Sequence, residues 1–321
     1  MEPPSFDDVL LARERIAGHL PRTPAFCYPA LSEALGCELF VKHENHQATG
    51  SFKVRGGVNL VSALSGEERA RGLVVATRGN HGLSIAWAAQ RFGVRAVVVV
   101  PHGNNPEKNE AIRALGGELV EEGRDFDEAR EHVEILVARH GFRYVHSANE
   151  PLLIAGVATA ALELFEDVPA LDALFVSVGL GSGICGAALA RAARSPTTRL
   201  VGVQAERAPA IARSWRERRT VTTERADTFA DGLATRVPAE LTLRQILRDV
   251  DDFATVPEAA IAGAIRDLLR YTHNLAEGAG AAPLAAIRER STELAGKRVG
   301  MVLSGGNLDA ETLRRVVTGA L

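Results

Sequence analysis

Cysteine is scarce. Cys27, Cys37 and Cys185 are the only three in 321 residues, too few and too scattered for a disulfide framework or for any of the usual zinc spacings. A reducing cytoplasm is therefore the expected setting. No apolar run reaches the roughly 20 residues that a membrane helix needs, and Met1-Glu2-Pro3-Pro4 lacks the basic and then apolar stretch of a secretory leader. Neither membrane insertion nor secretion is expected. An excess of charge of one sign is also missing: 37 basic residues against 40 acidic ones leave a net charge of −3, no electrostatic footing for nucleic acid or an anionic membrane. Aromatics make up only 5%, while 46% of residues are hydrophobic and 24% charged, which excludes fibrous and disordered classes. The length suggests two domains, yet no repeat, low-complexity tract or Gly/Ser linker separates them. Any second domain must be inserted into the first and return to it.

What is present is an alternation of short β-branched runs with longer stretches of helical period, the pattern of parallel sheet with crossover helices. Ser5 caps a first helix with Val9, Leu10, Ile16 and Ala17 on one face and Pro21 as its stop. Strands are predicted at Leu39–Lys42, Leu73–Ala76, Ala96–Val100, Glu118–Val120, Leu174–Val178, Leu200–Val203, Phe253–Val256 and Val299–Leu303. The run Ala96–Val100 has no polar alternation and reads as a central strand buried on both faces. Arg219–Arg236 reads as an extended loop over a pocket, and the charge run Arg213–Arg219 before it as a solvated helix face.

Four segments at the ends of these strands carry chemistry. In Thr49-Gly50-Ser51-Phe52-Lys53-Val54-Arg55-Gly56 a lysine stands at the first turn of a helix, where the macrodipole helps an amine to lose its proton. Lys53 is a candidate Schiff-base lysine, although this segment alone describes a simple exposed lysine better. Thr77-Arg78-Gly79-Asn80-His81-Gly82, between a strand and the helix Leu83–Phe92, aims backbone N–H groups into a concavity suited to a carboxylate, or is simply a structural Asn/Gly turn. Val178-Gly179-Leu180-Gly181-Ser182-Gly183 is a phosphate cradle opening a helix near Gly183. It also satisfies the weak dinucleotide pattern, with Gln204 and Glu206 about 20 residues on, so a nucleotide reading stays open; the lack of a Walker lysine argues against ATP. The fourth, Val302-Leu303-Ser304-Gly305-Gly306-Asn307, follows the last strand and places Ser304 in the crevice beyond the strand ends, unless it is only a C-terminal turn.

Jointly, over essentially the whole chain, these segments resemble the threonine and serine dehydratase family of fold-type-II pyridoxal-phosphate enzymes. The subgroup most similar includes the hydroxyectoine-utilisation dehydratases. The resemblance implies a tryptophan-synthase-β-like α/β fold with two open parallel-sheet domains, helices on both faces. Residues 1–64 and 148–321 would form the large cofactor-binding domain, with 65–147 a small inserted domain. It implies that Lys53 holds pyridoxal 5′-phosphate and then acts as the base, that Phe52 packs beside the ring and that Asn80 contacts its 3′ oxygen. Gly179, Leu180, Gly181, Ser182 and Gly183 would take the phosphate, and Ser304 would face the pyridine nitrogen. Ser51, Thr77, Arg78, Gly79, Asn80 and His81 would meet the amino-acid substrate. A neutral serine at the ring nitrogen favours β-elimination over transamination. The implied reaction converts a 3-hydroxy amino acid such as L-threonine, L-serine or a bulkier analogue into a 2-oxo acid and ammonia. The implied state is a cytoplasmic homodimer.

The sequence departs from that pattern at Arg78, where threonine dehydratases carry a small residue and serine racemases a serine base. A guanidinium is a poor proton acceptor at neutral pH, which disfavours racemisation. Arg78 either meets a substrate side chain or pairs with an acidic neighbour. Gln204 and Ala210 stand where the family's divalent-cation site needs acids, so no metal is expected. The chain ends soon after Asn307, and no C-terminal regulatory domain is expected. Competing readings are an amino-acid racemase, a β-replacement enzyme of the cysteine-synthase kind, an NAD-dependent oxidoreductase and a non-catalytic binding module.

Overall fold

The computed structural model describes all 321 residues. Ten strands are present: β1 Ala25–Cys27, β2 Glu38–His43, β3 Leu73–Ala76, β4 Ala96–Val100, β5 Glu118–Glu121, β6 Arg143–Tyr144, β7 Ala173–Ser177, β8 Arg199–Ala205, β9 Asp252–Val256 and β10 Arg298–Leu303. All eight expected strands are found. The two added ones, β1 and β6, are three and two residues long, too short for any alternation to show in sequence.

The strands form two sheets. A six-stranded sheet has the order β1-β2-β10-β7-β8-β9, parallel except for the antiparallel β1 edge. A four-stranded, wholly parallel sheet has the order β5-β4-β3-β6 and lies between β2 and β7 in sequence. The apolar runs divide by the two-residue period of a strand, so that each sheet is covered on both faces. Ala173 and Phe175 enter one core while Leu174 and Val176 enter the opposite one. Val98 and Val100 face one side of the smaller sheet, and Val97 and Val99 the other. The interior position of β4 explains why every residue of Ala96–Val100 is buried.

The helical cover of the smaller sheet reaches beyond its own segment. Val54, Val58 and Val61 from the helix Lys53–Ser62, and Leu153 and Ala155 from the helix Pro151–Asp167, join its core. Ser5 caps the first helix, Phe6–Ala17, through a capping box with Asp8. Two details of that helix differ from expectation. It ends at Ala17, before Pro21 is reached, and its buried face is Val9, Ala12 and Ile16. Ala17 is exposed because one residue past Ile16 turns it about 100° around the helix. No helix is long and apolar enough to cross a membrane. In the run Arg213–Arg219, Arg213 and residues 216–219 are exposed, with an Arg213–Glu217 pair, while Ser214 is buried and Trp215 packs on the core, so one face of the helix Ala210–Glu217 is solvated.

Candidate active site

The carboxyl ends of β3, β7 and β10 open onto one cleft enclosing about 870 Å³ of space, its mouth included. Ligands of open parallel sheets sit at such strand ends. The cleft gathers Phe52, Lys53, Thr77, Arg78, Gly79, Asn80, His81, Gly179 to Gly183 and Ser304 on one surface. Ser51 is the exception: it is fully buried behind the wall, bridged to Gly305, and its Oγ has no hydrogen-bond partner.

Lys53 opens its helix, as expected, and its Nζ donates to Ser182 Oγ at 2.7 Å. Burial disfavours its charge and brings its pKa down to about 8, with Glu277 opposing the shift. An amine in that range exchanges its proton readily near neutral pH. The Ser84 hydroxyl donates to Lys53 O at 2.6 Å and ties the helix start to the Asn80–Phe92 helix.

The Thr77–His81 turn is braced from within. Thr77 Oγ1 accepts the N–H groups of Gly79 at 2.9 Å and Gly82 at 3.1 Å, so that hydroxyl shapes the loop. Asn80 Nδ2 donates to Glu277 Oε1 at 2.6 Å, and its Oδ1 accepts from Asn307 Nδ2 at 2.8 Å. His81 is buried, its Nε2 at 3.1 Å from Val145 O, and burial pushes its pKa down to about 3. It is neutral at working pH and holds the loop against β6's end. The helix begins at Asn80, three residues earlier than the sequence pattern indicates, because the loop residues themselves supply its first turn.

The glycine loop meets the requirements of a phosphate cradle. Gly181 lies at φ +102° and caps the helix Ser182–Arg194, whose first N–H groups have no intrahelical acceptor. A Cβ on Gly179 would stand 2.3 Å from Gly232 O, so no side chain can fill the cradle there. Thr242 Oγ1 donates to Leu180 O at 2.5 Å and Thr235 Oγ1 to Gly179 O at 3.3 Å. Gln204, fully buried, bonds Val178 O and Ala212 N through both ends of its amide. That amide is engaged at both ends and is not free for a ribose, which leaves the dinucleotide reading with the exposed Glu206 alone. Opposite the cradle, the Ser177 hydroxyl donates to Ser304 Oγ at 3.4 Å, a neutral pair suited to a ring nitrogen.

The cleft also holds polar and aromatic side chains that none of the four motifs named: Lys108, Phe126, Ser147, Ser177, Asp231, Thr235 and Glu277. Lys108 Nζ lies 3.0 Å from Asp231 Oδ2 and 4.0 Å from Glu277 Oε2. Burial opposes the Lys108 charge, but the two carboxylates hold its pKa above the ordinary value. Burial raises that of Glu277, against Lys108 and the Asn80 hydrogen bond. Arg78 reaches Asp231 only at 3.6 Å, and its buried Nε has no acceptor. Asp231 to Thr235 come from the expected cleft loop, and Ser177 adjoins the glycine motif; Lys108 and Glu277 sit in segments with no motif of their own.

Residues 16–305 match the family model described as "Pyridoxal-phosphate dependent enzyme". The chain is 38% identical to an L-threonine ammonia-lyase of Thermotoga maritima over 99% of its own length and 79% of the relative's. It is 35% identical to an L-threo-3-hydroxyaspartate ammonia-lyase of Saccharomyces cerevisiae over 98% and 97%. Among solved structures it superposes on a threonine deaminase from T.th. with TM-score 0.89 and 37% identity, covering 95% of this chain and 99% of that one. Maize serine racemase superposes with TM-score 0.91 at 29% identity, over 99% and 98%.

Proposed function

The chain belongs to the pyridoxal-phosphate dependent enzyme family, and from that premise we propose that it eliminates water from a 3-hydroxy amino acid, giving a 2-oxo acid and ammonia. The observation that carries the reading is the convergence of Lys53, the Asn80 loop, the glycine cradle and Ser304 on one cleft. Pyridoxal phosphate, when bound, supplies an electrophilic carbonyl carbon and a sink for the electron pair of the broken Cα–H bond.

The residues divide the remaining work. Lys53 would hold the cofactor, and its amine, whose pKa burial brings down to about 8, is placed to take the α-proton of the substrate. The first N–H groups of the helix Ser182–Arg194 hold the phosphate. Phe52 walls the ring, and Asn80, fixed between Glu277 and Asn307, presents its amide to the 3′ oxygen. The Thr77–His81 turn orients the substrate carboxylate. Ser304 leaves the ring nitrogen without a carboxylate partner, which favours loss of the β-substituent over transamination. Arg78 faces the substrate side chain and, as a guanidinium is a poor proton acceptor, does not serve as a second base.

The test is incubation of the holoenzyme with L-serine, L-threonine and bulkier L-3-hydroxy amino acids. Release of 2-oxo acid and ammonia with little D-isomer is expected on chiral chromatography. D-amino acid formed as fast as oxo acid would make it a racemase. The reading extends to a homodimer in the cytoplasm and to residues 65–147 as an inserted domain beside 1–64 and 148–321. A monomeric mass by sedimentation would remove the first of these.

A further inference from the structure

Across the cleft mouth one arginine meets two aspartates that flank an aromatic. Asp125 caps the helix Phe126–His140: its Oδ1 accepts the N–H groups of Asp127 at 2.9 Å and Glu128 at 3.1 Å. The cap fixes the carboxylate, and its other oxygen, Oδ2, accepts from Arg236 Nη2 at 2.7 Å. Arg236 Nε lies 3.3 Å from Asp127 Oδ2. One guanidinium thus grips the residue on either side of Phe126. Phe126 itself lines the cleft and packs on the outer core of the four-stranded sheet. Apart from Phe52 it is the cleft's one phenyl ring.

The arginine is held from behind. Its carbonyl accepts Thr223 N at 3.1 Å, and its neighbour Thr235 bonds Gly179 O in the glycine loop. Arg236 therefore spans from the flank of the phosphate cradle to the opposite wall. Its side chain is 28% exposed, that of Asp127 14% and that of Asp125 37%, so the longer contact is the better shielded of the two and the short bond to Asp125 is held in place by the helix cap.

We propose that Arg236 is a positioning residue: it holds Phe126 as the apolar wall of the subsite for the substrate side chain beyond Cβ. Arg236 thereby sets selectivity for side-chain size without touching the substrate. The proposal rests on the elimination reading above. An apolar ring at that place favours each added methylene of a bulkier substrate by about four- to tenfold.

The experiment compares Arg236→Gln, Phe126→Ala and the double variant as holoenzymes, with kcat/KM for L-threonine and a bulkier 3-hydroxy amino acid taken relative to L-serine. Either single change should lower that ratio about five- to tenfold, chiefly through KM, and the double should be no worse than Phe126→Ala alone. Arg236→Lys, which keeps the charge but loses the fork, should recover part of the ratio, and it carries the comparison if Arg236→Gln does not fold. Multiplying, independent effects in the double variant would overturn the proposal, as would an unchanged ratio in Arg236→Gln. Hydrogen exchange provides an arm that needs no turnover: the amides of residues 126–129 should exchange faster in Arg236→Gln, and unchanged exchange contradicts the tie. Wild type that eliminates from no 3-hydroxy amino acid would instead refute the elimination reading, leaving exchange to decide the tie.

Discussion

Two charge clusters in this molecule have the same composition, two cations and two carboxylates, and opposite construction. Two residues beyond Lys53, the fully buried Arg55 engages both oxygens of Glu44, at 2.7 and 2.8 Å, and both of Glu163, at 2.7 and 2.8 Å. Lys42 closes the group with bonds of 2.7 Å to Glu163 and to Thr23 O. Every donor of the guanidinium is satisfied, so nothing is left for a ligand. In the cleft, Arg78, Lys108, Asp231 and Glu277 are spaced at 3.0, 3.6 and 4.0 Å, and Arg78 Nε has no acceptor. A closed network holds the fold; an open one keeps bonding capacity for whatever enters.

The largest way to break the comparison is Arg55→Met. It strands two buried carboxylates with only Lys42 and the hydroxyl and N–H of Thr23 as partners, so unfolding free energy should drop by about 3–5 kcal/mol in urea titration. A loss under about 1 kcal/mol would show that the cluster is not the closed network described.

Acid titration should separate the clusters next. Burial alone would raise the Glu163 carboxyl, but Arg55 and Lys42 hold it below its ordinary value. Its stabilisation is present above the unfolded carboxylate pKa and is lost as pH falls through the lower folded value. Glu277 is shifted upward by burial, so its charge destabilises the fold at neutral pH and that penalty is relieved on acidification. His81, held down to about 3 by burial, and His43 and His146, held down to about 4 by burial, add losses that begin near the unfolded histidine value of roughly 6.5, each at up to ~1.4 kcal/mol per pH unit. Stability measured from pH 7 to 4 should therefore fall before the ordinary carboxylates titrate, and Glu277→Gln should raise it at pH 7. A flat profile down to pH 5 would contradict the burial of these neutral histidines.

Arg78→Ala should leave stability within about 0.5 kcal/mol, since its one ion pair is long and partly exposed. It should instead change kcat/KM unequally among serine, threonine and bulkier substrates; an equal change across all three would mean that Arg78 only pairs with Asp231. The smallest effect concerns metal. The carboxylates of both clusters already face cations, and the Gln204 amide is engaged by backbone, so EDTA should change neither activity nor melting temperature. A loss restored by Mg²⁺ or Ca²⁺ would refute this.

The same contrast explains what could be read from the sequence. Runs such as Ala96–Val100 and Val299–Leu303 declare buried strands by composition, and the glycine, Asn80 and Lys53 segments are contiguous stretches of sequence that line the cleft. Lys108, Asp231 and Glu277 belong to three distant segments and acquire a role only when two sheets bring them within 4 Å. Arg55 was visible as part of a motif, but its partners Glu44 and Glu163 lie on other elements. Nothing local distinguishes such charges from surface ones.

The central claim is that Lys53 carries pyridoxal phosphate in this cleft. Borohydride reduction of the holoenzyme followed by peptide mapping tests it directly. The pyridoxyl group should be found on Lys53 and be absent from Lys53→Ala; finding it on Lys42 or Lys108 would contradict the account.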